Sequence, residues 1–96
     1  MTDPAEWEAL TEALMTHPAL SGIGAGLLAA VHLGLARDSR RFAQQFGLSH
    51  ALVMRECAEL AERGLIVATM PEGRAPRYDL ALSPAGLAAM QAASIG

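Results

Sequence analysis

The chain has 96 residues, a formal net charge of −3 and a single cysteine. A chain of this length has room for one small hydrophobic core, and a lone cysteine excludes an internal disulfide. Hydrophobic residues make up 52% of the sequence but aromatic residues only 4%, so we expect a core of aliphatic side chains in closely packed helices.

The N-terminal region carries no signal for export or membrane insertion, because no basic segment precedes an apolar one. The longest apolar run, residues 23–35, is interrupted by glycines and by His32. It is also too short to cross a bilayer. We therefore expect a soluble, cytoplasmic protein without membrane contact.

An amphipathic helix is predicted near the start of the chain. Asp3 supplies a capping carboxylate, Pro4 suits the first helical position, and Glu6 lies in the first turn. The apolar stripe that follows has helical spacing and consists of Trp7, Leu10 and Leu14. We predict that residues 1–18 form a helix for dimerisation or packing, and that residues 19–96 form the main domain.

A second helix is predicted from apolar residues at spacings of three and four, namely Leu20, Ile23, Leu27, Val31 and Leu35. Three glycines occur within residues 22–26, as in phosphate-binding loops. However, Leu27 stands where a dinucleotide fingerprint needs glycine, no strand precedes the run, and no Gly-Lys-Ser/Thr follows it. We interpret these glycines as a place of close helix approach, with a dimer contact there.

Residues 39–64 have the pattern of two short helices joined by a sharp turn. Ser39 and Ser49 are predicted N-caps, because a serine hydroxyl can accept hydrogen bonds from the unpaired N–H groups of a helix start. Gly47 falls at the turn, where a positive φ favours glycine. Gly64 is predicted to end the second of these helices.

After this helix pair the pattern changes from helical to alternating. Strand-forming residues at 65–69, a turn at 71–73 and alternation through residues 78–82 predict a β-hairpin. Ser83 followed by Pro84 then begins a last helix, predicted to end near residue 93. The sequence therefore predicts a mainly α protein with a small β-hairpin, of the α+β class.

Three segments, FAQQFGLS, ELAERGLI and GRAPRYDLALSPAG, occur in this order along the chain. Together they resemble the DNA-binding core of winged-helix transcriptional regulators, most closely those of the MarR type, over roughly residues 20–90. The resemblance implies a winged helix-turn-helix with an extra N-terminal helix. It also implies a recognition helix at about 50–63 that enters the major groove and a wing at about 65–82 on the backbone or minor groove.

The predicted DNA-binding residues are Arg40, Arg41, Ser49, His50, Leu52, Arg55, Arg74 and Arg77. By the resemblance, Arg55 matches a position that is commonly arginine and that meets a phosphate or a guanine edge. Leu52 and Met54 depart from the family pattern, which often has Thr or Ser there, and Glu59 stands where a basic residue is common. Solvated ion pairs remain the alternative: Arg55 with Glu59, and the wing arginines with Glu72 or Asp79.

Charge is unevenly distributed along the chain. Residues 1–36 contain four acidic residues and no Lys or Arg, whereas residues 37–96 contain all seven arginines against six acidic residues, a formal charge of +1. This balance is less basic than nucleic-acid binders usually show. It leaves a second interpretation open, a winged-helix protein–protein interaction module in which Leu52, Met54 and the wing form an apolar contact surface.

No catalytic residue, metal site or cofactor is predicted. The three histidines lie on separate predicted elements, and H-E-x-x-H, C-x-x-C and G-x-S-x-G spacings are absent from the sequence. Cys57 lies on the inward face of its helix and is predicted to be a core thiol, with redox sensing as the alternative.

We therefore expect a sequence-specific regulator of transcription that binds double-stranded DNA as a homodimer. Its two recognition helices would lie about 34 Å apart on a pseudo-palindromic operator. The predicted dimer-interface residues are Trp7, Leu10, Leu14, Leu87 and Met90. A small-molecule effector is compatible with this organisation, but no residue pattern supports one.

Overall fold

A computed structural model describes residues 4–18, 20–72 and 76–95, with side chains up to residue 93. Within these residues the elements are α1 (Pro4–Leu14), α2 (Gly22–His32), α3 (Ser39–Phe46), α4 (His50–Glu62), β1 (Ile66–Thr69), β2 (Asp79–Leu82) and α5 (Pro84–Ile95). The two strands form an antiparallel pair. The chain is therefore mainly helical with a small sheet, as predicted for the α+β class. The predicted cap Asp3 and the predicted wing residue Arg74 lie outside the described residues.

The local signals for helix boundaries are confirmed at four positions. Ser49 caps α4 and accepts a hydrogen bond from the backbone N–H of Leu52. Gly47 follows α3 in the left-handed conformation, with φ of 63°, which a residue with a Cβ adopts only at a cost. Gly64 follows the end of α4, and Ser83 accepts from a backbone N–H in the first turn of α5. Helix α5 extends two residues beyond its predicted end.

The N-cap of α3 is Asp38, and the prediction that Ser39 fills this position was wrong by one residue. Asp38 has the extended backbone that a cap requires, and its carboxylate accepts from the N–H of Arg41 at 2.7 Å. Ser39 lies one residue further on, inside the helix, and is fully buried. Its hydroxyl is therefore used in contacts to other elements and not for capping.

Helix α2 occupies the centre of the fold. Residues 24–30, seven in a row, are buried. Helices α1, α4 and α5 and strand β2 all pack against it. A helix that is apolar on all sides is stable only when it is enclosed, so α2 organises the elements around it.

Helix α1 packs against the same core through an aromatic group. The ring of Trp7 stacks on that of Phe46 in α3, with centroids 4.7 Å apart, and Phe46 contacts Phe42 at 4.6 Å. The indole N–H of Trp7 donates to the carbonyl oxygen of Gly26 at 3.0 Å. These contacts tie α1 to both α2 and α3.

Two residues predicted at a dimer interface belong to the core of the single chain. Leu14 is 2% exposed and Met90 is 0% exposed, because α1 and α5 pack against each other and against α2. Neither residue retains surface for a partner. Trp7 and Leu10 are half-buried against the same core, whereas Leu87 is 42% exposed.

The glycines of α2 are also used within the chain, which corrects the dimer contact expected there. Gly26 is buried against Trp7, and Gly24 is buried close to Leu60 of α4. The close helix approach predicted for this segment is therefore present, but it brings α1 and α4 onto α2 and leaves neither of these two glycines open to a second copy.

The segment before α3 pairs with β2 and extends the hairpin. The hairpin register pairs Ile66 with Leu82 and Thr69 with Asp79. On the other side of β2, Asp38 forms an isolated antiparallel bridge with Asp79. The N–H of Leu80 donates to the carbonyl of residue 37 at 2.8 Å, and the N–H of residue 39 donates to that of residue 78 at 2.9 Å. Strand β2 is thus held from both edges.

Gly26→Ala is expected to lower the free energy of unfolding by about 1–2 kcal/mol. A Cβ at this position would lie 3.0 Å from Cζ2 of Trp7, whose ring is fixed by its stack and its hydrogen bond. Gly22→Ala is the matched control, because its nearest neighbour would be Met15 Cε at 3.8 Å. It should raise stability by about 0.4–1 kcal/mol. Urea unfolding followed by Trp7 fluorescence measures both, and equal stabilisation by the two changes would contradict the packing described for Trp7.

Thr11→Val is expected to raise the free energy of unfolding by about 1 kcal/mol. Among the described residues, Thr11 Oγ1 is the buried side-chain oxygen that has no hydrogen-bond partner, and valine replaces it with a methyl group of similar shape. Thr16→Val is the control, since Thr16 is exposed and its hydroxyl donates to the carbonyl of Ala13 at 2.8 Å. Thermal unfolding should rank Thr11→Val above the unmodified chain and Thr16→Val at or below it; the reverse ranking would mean that the Thr11 hydroxyl is satisfied.

Candidate nucleic-acid interface

Helices α3 and α4 pack through one face each and leave the opposite faces to solvent. The buried residues of this pair are Ser39, Phe42 and Ala43 in α3 and Val53, Cys57 and Leu60 in α4. The turn between the helices is closed by the N–H of Leu48, which donates to the carbonyl of Ala43 at 2.9 Å. A residue that contacts DNA through this pair must therefore lie on its solvent-facing side.

Three of the predicted arginines are exposed on α3 and α4. Arg40 and Arg41 lie in the first turn of α3, and Arg55 lies in the second turn of α4. Within the described part of the chain none of the three makes an ion pair, so the Arg55–Glu59 pair considered from the sequence is not formed. Their guanidinium groups are available to an anionic partner.

The structure brings Arg40 and His50 together but places Arg41 elsewhere. A hollow of about 270 Å³ at the junction of α3 and α4 is lined by Arg40, Ala43, Gln44, Leu48 and His50. Arg41 lines a separate hollow with Arg37 and Asp38. Ser49, beside His50, is exposed, and its hydroxyl already serves the α4 cap.

Two apolar residues of α4 differ in how they are placed. Leu52 and Met54 are both half-buried. The sulfur of Met54 lies 3.3 Å from the Ser39 hydroxyl oxygen, so this side chain reaches into the contact between α4 and α3. Met54, predicted as part of an apolar contact surface, is therefore turned partly toward α3, and its sulfur lies against the buried hydroxyl of Ser39.

Ser39 is the meeting point of three elements. Its Oγ lies 3.1 Å from Nε2 of His50 on α4, and it accepts from the backbone N–H of Tyr78 at 2.9 Å, next to β2. With the Met54 contact, one buried hydroxyl links α3, α4 and the base of the hairpin. Sequence reasoning missed this role. The available signal was the adjacent pair Asp38–Ser39, of which only one residue can cap α3.

The hairpin is less cationic than the sequence suggested. Arg77 Nε lies 3.2 Å from Asp79 Oδ1, with both side chains partly exposed. This is the ion pair that the sequence left as an alternative to DNA contact. Val67 and Met70, in and next to β1, are each 52% exposed. The described part of the hairpin therefore presents apolar side chains beside a neutralised arginine.

The described residues offer no cluster of three or more His, Cys, Asp or Glu side chains that could hold a metal ion. Across the same residues, every helix is too short or too polar to cross a bilayer. Cys57 is fully buried, and burial together with the neighbouring Glu56 carboxylate raises the pKa of its thiol to about 12. Because the thiolate is the reactive form, this environment favours the core role over redox sensing.

No protein-family model matches the chain, and no curated protein matches it.

Cys57 is expected to react with a disulfide reagent only when the protein unfolds. Its raised pKa keeps the thiol protonated across the neutral and mildly alkaline range, and its burial excludes the reagent. The reaction at about pH 8, followed by absorbance, should be slow in native buffer and should accelerate with urea in parallel with unfolding. Stoichiometric reaction within seconds in native buffer would show that the thiol is accessible.

Proposed function

We propose that this chain is a winged helix-turn-helix protein that binds double-stranded DNA as a homodimer and regulates transcription. The observation that carries the proposal is the α3–Gly47–α4 unit, in which a left-handed glycine joins two packed helices and leaves exposed arginines on both. In DNA-binding proteins of this architecture the second helix enters the major groove, and its N-terminal residues meet base edges. Here that helix is α4.

The order of elements supports a winged form of the motif. Helix α2, the bridging residue Asp38, helices α3 and α4, and the β1–β2 hairpin follow one another along the chain. Through its bridge to Asp79, Asp38 pairs with β2 on the side opposite β1. This pairing anchors the wing next to the start of α3. A wing fixed in this way can lie beside a recognition helix and touch the neighbouring DNA backbone.

Exposed arginines that form no ion pair with the described residues support DNA as the partner. Arg40 at the start of α3 and Arg55 on α4 can each meet a phosphate, and a bidentate arginine–guanine contact contributes about 1–3 kcal/mol of discrimination. The hollow beside Arg40 adds His50 and Gln44 as further hydrogen-bonding groups. Phosphate contacts of this kind set the register of a protein on the duplex.

A homodimer is supported by helix α5, which contains no charged residue. Leu87 on this helix is 42% exposed and is the predicted interface residue that retains most surface. For such a dimer to bind an operator, the two copies of α4 would have to lie on one side of it. Their spacing would have to match one DNA turn, about 34 Å.

The second candidate is a protein interaction module, and the described wing favours it. Val67 and Met70 present apolar surface, and Asp79 neutralises Arg77. A wing of this composition suits an apolar protein surface better than a phosphate backbone. The two candidates differ in which element makes the contact: α3 and α4 for DNA, the hairpin for a protein.

Arg55→Ala is expected to weaken binding to a random-sequence DNA duplex by about fivefold or more, whereas Arg63→Ala should change it little. Both variants lose one positive charge, but Arg63 is the C-cap of α4 and lies eight residues further along, about 12 Å from Arg55. Fluorescence anisotropy at several salt concentrations measures the affinities. For the unmodified protein, log affinity should fall with log salt by a slope of about −0.9 per phosphate contacted.

Circular dichroism and thermal unfolding of both variants would verify that each is folded. If the unmodified protein shows no salt-dependent DNA binding at low ionic strength, the interaction module becomes the better proposal. Equal losses for Arg55→Ala and Arg63→Ala would instead indicate diffuse electrostatic attraction without a recognition helix.

A further inference from the structure

The buried hydroxyl of Ser39 and the half-buried imidazole of His50 form a pair beside the hollow at the α3–α4 junction. We propose that Ser39 is a positioning residue: it holds His50 with Nε2 as an acceptor, so that Nδ1–H is the donor that His50 offers to a DNA phosphate seated in this hollow. The proposal rests on the DNA binding proposed above.

A serine hydroxyl has one hydrogen to donate, which limits the bonds that Ser39 can form. The Ser39 oxygen accepts from the N–H of Tyr78, so its single hydrogen remains for one further partner. Two acceptors are within reach, the Nε2 of His50 at 3.1 Å and the sulfur of Met54 at 3.3 Å. The oxygen keeps a second lone pair, so the same distances also fit the opposite arrangement, in which Nε2–H donates to Oγ and the hydroxyl donates to Met54. Because a thioether is a weak acceptor, we assign the hydroxyl hydrogen to the imidazole nitrogen.

The hydrogen bond from Ser39 selects one tautomer of His50. In a neutral histidine one ring nitrogen is a donor and the other is an acceptor, and a hydrogen bond at one nitrogen decides which is which. With Nε2 accepting from Ser39, the proton of His50 is on Nδ1. Ser39 therefore determines that His50 presents a donor and not an acceptor at its second nitrogen.

Nδ1 of His50 can bind a ligand only if it is accessible. Among the described residues that are not fully exposed, Thr11 Oγ1 is the buried side-chain polar atom without a partner. Among the described residues nothing forms a hydrogen bond with Nδ1 of His50, and this atom is not among the fully buried ones, so it keeps some contact with solvent. A donor that is held in place, open to solvent and unused by the fold is suited to a ligand.

The class of ligand follows from the neighbours of His50. The hollow is about 270 Å³ and its polar side chains are those of Arg40, Gln44 and His50, with no carboxylate among its lining residues. An arginine beside N–H donors suits a phosphate group, which accepts hydrogen bonds and carries negative charge. Helix N-termini are among the groups that contact DNA phosphates, and this hollow adjoins the first residue of α4.

Nitrogen-15 NMR of the imidazoles tests the positioning role without DNA. At about pH 9, where imidazole is neutral, the long-range proton–nitrogen spectrum should show His50 with Nδ1 protonated and Nε2 as the acceptor. His17 and His32 serve as internal references. In the Ser39→Ala variant the donor to Nε2 is gone, and the His50 pattern should lose this tautomer. A purely structural role for Ser39 would leave the tautomer unchanged.

Two amide variants test the phosphate contact. The side-chain nitrogen of asparagine can occupy the place of Nδ1, and that of glutamine the place of Nε2. His50→Asn should therefore keep DNA affinity within about twofold of the unmodified protein. His50→Gln should weaken it by about tenfold, the effect of losing one hydrogen bond to a charged group. Both replace a half-buried residue with an amide, so their thermal unfolding provides the folding control.

The NMR measurement and the DNA-binding measurements together distinguish failure of this inference from failure of the proposed function. Salt-dependent DNA binding with His50→Gln as tight as His50→Asn would overturn the phosphate contact and leave DNA binding standing. A protonated Nε2 in the unmodified protein would overturn the role of Ser39. Absence of DNA binding by the unmodified protein would remove the proposed function and the phosphate contact together, while the NMR result would still decide whether Ser39 sets the tautomer.

Discussion

Enclosure of α2 is the constraint on which the rest of the structure depends. Residues 24–30 contain only glycine, alanine and leucine, and all of them are buried. Helices α1, α4 and α5 and strand β2 must therefore each turn an apolar face toward α2. For α4 this fixes the rotation of the helix: Val53, Cys57 and Leu60 point to the core, and Arg55 is directed to solvent. The candidate interface is thus a consequence of how α2 is covered.

The same constraint explains why three of the four aromatic residues of the chain lie together. Trp7, Phe42 and Phe46 form a continuous group that covers α2 where Gly26 provides no side chain. Large rings bury much apolar area per residue, which matters in a domain of this size. Because the group includes α1 and α3, it couples the N-terminal helix to the proposed DNA-binding unit, and a shift of Trp7 would be felt at the end of α3.

Features that depend on neighbouring residues could be predicted from the sequence. Gly47, Ser49 and Ser83 act through backbone groups within a few positions, so residue type and spacing are sufficient to place the turn and both caps. The Ser39 contacts could not be predicted in this way. They join residues 11 and 39 positions apart, and no local pattern states which distant groups will meet a buried hydroxyl.

The predicted dimer-interface residues show that the sequence does not reveal what covers an apolar helix face. The sequence correctly placed Leu14 on an apolar stripe and Met90 on a helix face that is covered, but an apolar face is the same whether a second copy or the chain itself covers it. Here α2 and the mutual packing of α1 and α5 cover both residues. Composition could not decide this, because the choice depends on how the helices are arranged in three dimensions.

Net charge is a poor guide to the partner of this domain, because the structure distributes its cations unequally. Asp79 neutralises Arg77 on the hairpin, whereas Arg40 and Arg55 are exposed on α3 and α4 and form no ion pair with any residue that the structure describes. A segment with a formal charge of only +1 can still present local positive potential where its paired and unpaired groups are separated. If DNA is the partner, the phosphate contacts would then come mainly from the helix pair, and the wing would contribute through Val67 and Met70 against sugars or a neighbouring protein. The electrostatic and apolar parts of recognition would lie on different elements that the Ser39 hydroxyl holds together.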